Sequence, residues 1–234
     1  MRPLALIVAL VLAVAGCGSQ ADIGDEQPGP ASPSASQAAV TPAVPLSAAR
    51  SLAAALTLRD LPKGWDGGAA ADPYLGTEVN GRPGEFEPAK CSVILHAHDE
   101  LGKPLTAVRG SYFLRAESQS ILQNIGSWPE QQPSLTQKVT DALTGCTSFK
   151  VTAALVLDES SFTTRRLPLP GLADAVAVRL DGTGELAGLW RYVMYAVRGG
   201  TVLHLDATGG KGFGDADFAR TAGKAVARLD AAIG

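Results

Sequence analysis

Four side chains in the last third of the sequence are of the types that move protons or orient a ligand: Arg191, Tyr195, His204 and Asp206. They lie on two runs flanking Gly199-Gly200, a dipeptide that favours a two-residue hairpin turn. Such a turn pairs Arg198 with Thr201, Val197 with Val202 and Tyr195 with His204. Side chains alternate across a strand. One face therefore collects Trp190, Tyr192, Met194, Ala196, Leu203, Leu205 and Ala207, and must be core. The other mixes Leu189, Val193, Val197 and Val202 with the four polar residues. That mixed face is either ordinary solvent-facing sheet or the floor of a cleft. As a cleft it is a ligand-binding surface, with Arg191 suited to a carboxylate or phosphate head and the aliphatic residues supplying the apolar part. Asp206 is expected to orient His204 or to end a strand rather than to catalyse.

A second group, His96-Ala97-His98-Asp99, has the outline of a metal site, because alternate strand positions point the same way. Only His204 remains elsewhere, and a third and fourth ligand at usual spacing are missing. The stretch reads as exposed polar residues after a strand. There is no Gly-x-Ser-x-Gly elbow and no phosphate-binding glycine loop. Asp158-Glu159 reads as a turn, and Asp215 with Asp217 as a helix start. No enzyme, cofactor or metal is expected. The formal charge of −3, without a basic stripe, argues against a nucleic-acid partner.

The cysteines carry different chemistry. Cys17 closes Val14-Ala15-Gly16-Cys17, after a basic start and about a dozen apolar residues from Leu4 to Ala15. This resembles a bacterial lipoprotein signal. The resemblance implies cleavage before Cys17, diacylglyceryl and fatty-acyl modification of that residue, and anchoring at the extracytoplasmic face of the cell membrane. The apolar run falls short of the ~20 residues that span a bilayer. Cys91 and Cys146 then remain in a compartment that permits disulfides, and an even remainder points to their pairing. Two buried free thiols are the alternative. Frequent Ala, Gly, Pro and Arg, with GC-rich codons, point to a high-GC bacterium.

The elements that position these residues follow in order. Residues 1–16 are the signal peptide. From 17 to 45 a Pro-, Ser- and Ala-rich stretch without apolar periodicity reads as a flexible tether, reaching ~30 Å from the lipid. A globular domain is expected over 46–234. Ser47 caps a helix running to about Leu58, and residues 66–90 form an irregular surface segment pinned by Cys91. A strand spans Thr106 to Arg115, with Val108, Tyr112 and Leu114 on one face, and a shorter one spans Ile121 to Ile125. Ser134 opens a helix through a Ser-x-x-Gln box with Gln137. Leu135, Val139, Ala142, Leu143 and Cys146 form its buried stripe. Strands follow over Phe149–Leu157, around Phe162, over Val176–Leu180, Leu186–Arg198 and Thr201–Ala207. Asp215 starts a last helix striped by Phe218, Ala222, Ala225, Val226, Leu229 and Ile233. The expected class is α+β: one antiparallel sheet of about five to seven strands, with helices at both ends of the chain and one between.

Taken together, the pieces resemble a known family. They are the Asp60 to Trp65 run Asp-Leu-Pro-x-Gly-Trp, Cys91 after a Gly/Pro-rich segment, Gly145-Cys146-Thr147-Ser148-Phe149, and the Leu167 to Leu172 turn. The chain looks like the actinobacterial lipoproteins related to the extracellular sensor domain of the mycobacterial receptor kinase PknH. The resemblance covers roughly 46–233. It implies a non-catalytic α+β domain with a groove for a small or amphiphilic envelope ligand. Where that kinase domain has two disulfides, this chain can form one. The alternative is an interaction or scaffold module that contacts an envelope protein and has no pocket; no particular protein partner is identifiable.

Overall fold

In the computed structural model, which describes residues 44–70, 85–101, 106–115, 119–152 and 159–234, nine strands form one sheet. They are β1 (Asp66–Ala70), β2 (Glu85–Glu87), β3 (Thr106–Arg115), β4 (Gln119–Ser127), β5 (Ser148–Thr152), β6 (Glu159–Arg166), β7 (Ala175–Thr183), β8 (Trp190–Arg198) and β9 (Thr201–Gly209). All neighbours are antiparallel, in the spatial order β1-β3-β4-β9-β8-β7-β6-β5-β2. The helices are α1 (Ala48–Ala53), α2 (Ser92–His96), α3 (Ser134–Gly145) and α4 (Asp215–Ile233). The class is α+β as expected, with more strands than five to seven. The additions are the short edge strands β1 and β2, inside the stretch read as irregular. β1 is Asp, Gly and Ala with no apolar alternation to betray a strand, and the Glu85-Phe86-Glu87 alternation of β2 spans only three residues. The signal segment, Cys17 and most of the tether lie outside the described residues.

The β8–β9 hairpin has the register expected from Gly199-Gly200: Arg198 faces Thr201, Val197 faces Val202 and Tyr195 faces His204. Gly199 holds φ at +59°, which the turn requires and side chains resist. The strand leading into it starts at Trp190 and not at Leu186, because residues Gly184–Leu186 close a 3-10 turn. At the far end Trp190 faces Gly209, where a Cβ would come within 1.9 Å of the indole nitrogen. The bare backbone lets the ring lie across the strand, and its Nε1–H donates to the Phe213 carbonyl at 3.1 Å.

One sheet face is covered by α4 and the N-terminal segment. The α4 stripe of Phe218, Ala222, Ala225, Val226 and Leu229 buries against Tyr192, Met194, Leu203 and Leu205. Each such large apolar side chain contributes about 1.5–3 kcal/mol. Ser47 caps α1 through its Oγ, 3.3 Å from the Arg50 amide. The helix stops at Ala53 and not near Leu58, because the sheet captures the next backbone groups. The Gln123 side chain accepts from the Leu56 amide (2.7 Å) and donates to the Ala54 carbonyl (3.3 Å), and Ser111 donates to the Leu56 carbonyl (2.9 Å). Leu56 is buried as a result, and Leu52 is left exposed.

The other face is partly covered by α2 and α3, with α3 lying over β6, β7 and β8. Cys91 and Cys146 form a disulfide, Cα atoms 5.7 Å apart, both fully buried beneath the two helices. Leu135, Val139, Ile94, Phe149, Val176, Val178, Val193 and Val202 pack around it. The N-cap of α3 is Pro133, one residue earlier than expected, and the Ser134–Gln137 capping box is absent. Gln137 instead donates to Asp141 at 2.7 Å, one turn along the helix. Over β7 and β8, the mixed face is therefore a second core layer.

Candidate functional site

Strand register carries two cross-sheet rows along that second face. One runs Val193, Asp206, Leu122, Tyr112, Gly68, and the other Tyr195, His204, Asn124, Gly110. Beyond the cover of α2 and α3, the rows surface on β3 and β4. Tyr112 and Leu114 share this face and are 38% and 47% exposed, and Leu122 is half-buried. The side chain of Val108 is outside the described residues. The result is a step: a helical layer on one side, an apolar shelf on the other, and polar residues at its foot.

The structure brings the four predicted residues together at that foot and adds two. Arg191 holds Asp206 through Nε, 2.9 Å from each carboxylate oxygen, and through Nη2. Asp206 is thus engaged by Arg191 in mid-strand; it neither orients His204 nor ends β9. Tyr195 and His204, paired across the hairpin, stack with ring centroids 4.9 Å apart at 18°. His98 descends from the turn after α2 and stacks on His204 at 4.5 Å and 26°. Asn124 is the cross-strand neighbour of His204 on β4.

His98 corrects a sequence expectation. His96 ends a helix and His98 lies just past it, so neither follows a strand, and their side chains are only 13% and 15% exposed. Asp99 reaches both, 3.1 Å from His96 Nδ1 and 3.2 Å from His98 Nε2. The missed signal was local: Ser92 to His96 buries Ile94 and Leu95, spacing that suits a short helix as well as a strand. Asn124 had no signal beyond its place on β4.

Five polar atoms in this cluster are buried and meet no hydrogen-bond partner among the described residues: Tyr195 Oη, His204 Nδ1 and Nε2, His98 Nδ1 and Asn124 Oδ1. The Ala97 amide acts on the Tyr195 hydroxyl without closing a hydrogen bond. A buried polar group left without a partner costs about 1–3 kcal/mol.

Burial favours the neutral form of His98, Tyr195 and His204, which lie beside the Arg191–Asp206 pair. Burial holds His204 well below the ordinary histidine range, helped by repulsion from His98, Arg191 and His96. Burial also lowers His98, against a smaller opposing pull from Asp99. The Tyr195 hydroxyl is pushed well above its usual value, first by burial. For Arg191 burial acts downward, but the Asp206 carboxylate outweighs it and raises the value. Arg191 still keeps 29% of its side chain open, so solvent reaches the cluster at the Arg191–Asp206 pair. The stacked imidazoles point their in-plane lone pairs in nearly parallel planes, a poor arrangement for sharing one ion. Among the described residues no three His, Cys, Asp or Glu side chains converge as metal ligands.

The opposite face holds a separate polar group at the start of α4. Tyr192 donates to Asp215 at 2.9 Å, Arg165 and Arg179 reach the same carboxylate, and Arg179 lies 4.7 Å above the Trp190 ring. Burial acts to raise the Asp215 pKa, but the hydrogen bonds from Arg165, Arg179 and Tyr192 prevail and bring it to about 2. Every one of these groups is partnered, and the assembly ties α4 to β6, β7 and β8.

No family model matches the chain, and no curated protein matches it. The fold matches the crystal structure of the extracellular domain of PknH from Mycobacterium tuberculosis, with a TM-score of 0.61 and 15% identity over 80% of this chain and 98% of that one. A structure of the Rv0999 ortholog from Mycobacterium smegmatis aligns at a TM-score of 0.41 and 15% identity, over 73% of this chain and 92% of that one. The likeness to the PknH domain is one of fold, and the fold is the one that the sequence motifs resemble.

Proposed function

We propose that the chain is a lipid-anchored, extracytoplasmic binding domain of the sensor type, without catalytic activity, that captures an amphiphilic envelope ligand on the second sheet face. The lipobox at Cys17 and the Pro-rich stretch after it support the anchor. The observation that carries the binding reading is the convergence of unpartnered buried polar atoms at the foot of an exposed apolar shelf. Tyr112, Leu114 and Leu122 accept the apolar part, and the Arg191, Tyr195, His204 and Asp206 cluster, with His98 and Asn124, meets the head. Because His98 stacks on His204, a head group reaches the innermost atoms by displacing the His98 ring.

Exposed Tyr112 and Leu114 also fit the contact of an envelope protein, the alternative reading. A flat protein contact leaves the buried polar atoms unexplained, so ligand capture is preferred. Native mass spectrometry of protein extracted from its own membrane tests both parts. The expected result is acyl mass on Cys17, together with a non-covalent amphiphile that is lost in a Tyr112→Ser, Leu114→Ser double variant of unchanged circular dichroism. Absent acyl mass sinks the anchor. Wild-type protein that carries no guest and takes up none from added envelope lipid sinks the binding reading.

A further inference from the structure

We infer that the polar end of this site selects an uncharged head group that brings hydrogen-bond donors, such as a polyhydroxyl or amide group, over a carboxylate, phosphate or ammonium. The inference rests on the ligand-binding reading above and follows from two features of the cluster. The first is charge. Arg191 is the cation within the cluster, and Asp206 already takes it in bidentate fashion. An incoming anion meets a guanidinium whose charge is matched and a buried carboxylate that repels it. An incoming ammonium finds the Asp206 carboxylate already taken by Arg191, so its own desolvation goes uncompensated.

The second feature is the count of donors and acceptors. The position of Asp99 against His98 Nε2 gives that nitrogen the proton, so Nδ1 is left as an acceptor. Asn124 Oδ1 is an acceptor. Neutral His204 offers one donor and one acceptor, and the Tyr195 hydroxyl can serve either way. Acceptors outnumber donors, so the guest must supply N–H or O–H groups. A carboxylate or phosphate dianion only accepts, and would set its charge against Asn124 Oδ1 and bare imidazole nitrogens. A hydroxyl both donates and accepts, as the site requires. On this inference Arg191 does not recruit an anionic head, because its partner is within the protein.

Four probes of equal chain length decide the matter by isothermal titration at pH 7.5, with delipidated protein and below micelle formation: decyl glucoside, decanoate, decyl phosphate and decylammonium. The glucoside is expected to bind at least about tenfold more tightly than each charged probe. A charged probe that binds as tightly overturns this inference and leaves amphiphile binding standing. If none binds, both readings fall. Free glucose, as a fifth probe, separates the sources of the head group. Binding as tight as that of the glucoside keeps the head-group preference and removes the apolar shelf from the site. Asp206→Asn frees Arg191, and is expected to shift the preference toward decyl phosphate by about tenfold. Should that variant not fold, Asn124→Leu, which leaves every charge in place, is expected to weaken glucoside binding roughly threefold to tenfold. Unchanged glucoside affinity in N124L overturns the donor–acceptor argument.

Discussion

Replacing Tyr195 with Phe deletes one oxygen and leaves the ring that stacks on His204 at 4.9 Å in place. That oxygen is fully buried and bonds to nothing among the described residues. Its removal creates no cavity of consequence, and relieves a desolvation cost of about 1–3 kcal/mol. The ligand-free domain should therefore become more stable, which is unusual for a truncation in a core. For a domain of this size each kcal/mol moves the midpoint by about 2–4 °C, so Tm should rise by about 2–12 °C. Urea unfolding of delipidated protein at pH 7.5 is the cleaner assay, and Cm should increase with m unchanged. A loss of about 0.5–1.5 kcal/mol would refute the reasoning. It would mean that the hydroxyl is bonded in solution, with the Ala97 amide the nearest candidate by its electrostatic effect. If the proposed ligand bonds this hydroxyl, saturation with decyl glucoside should reverse the sign.

His98 and His204 both have folded values below the ordinary 6.5, so the unfolded chain takes up their protons first and stability falls with pH. Their contribution is complete above 6.5 and declines below it, down through the folded values. Urea midpoints between pH 8 and pH 5 should trace that fall, and a flat profile would count against a neutral histidine pair. Asp215 gives a second, separate acid step, with stability lost between 3.8 and about 2 as its carboxylate protonates. Asp215→Asn should remove that step from an acid titration, and an unaltered acid limb would show that the carboxylate is not coupled to folding. Replacing both Cys91 and Cys146 with Ser opens a link between residues 55 apart and should cost about 4 kcal/mol. A loss of under about 1 kcal/mol in denaturant melts would contradict that estimate.

What the sequence discloses here depends on how far apart the deciding groups lie. The β8–β9 register is set by two adjacent glycines, and the stripe of α4 by spacing within one helix, so both are legible locally. The Cys91–Cys146 pairing needs only a compartment and an even count. The length of α1 is different, because Gln123 and Ser111 end it from far along the chain by taking the backbone groups of Ala54 and Leu56. The same holds for His98, whose position depends on a helix dropping it onto His204, more than a hundred residues away. Alternation puts Tyr112 and Leu114 on one face, but cannot tell which faces a helical layer will reach. The candidate site lies where that layer stops.

Both ends of the described chain are gathered on one side of the sheet. Leu46 belongs to the α4-side core, and Arg228 on α4 grips Asp60 at 2.7 Å and the Ala53 carbonyl at 3.4 Å. Val44 and Gly234 are both exposed there, while the Arg191–Asp206 pair opens on the reverse. For anyone building an instrument from this domain, either end of the described residues is a safe place to hold it. A biotin, a fluorescent partner or a chip linker attached at residue 44 or 234 leaves the shelf unobstructed. A test of the proposed ligand would place reporter dyes instead on β3, beside exposed Tyr112 and Leu114.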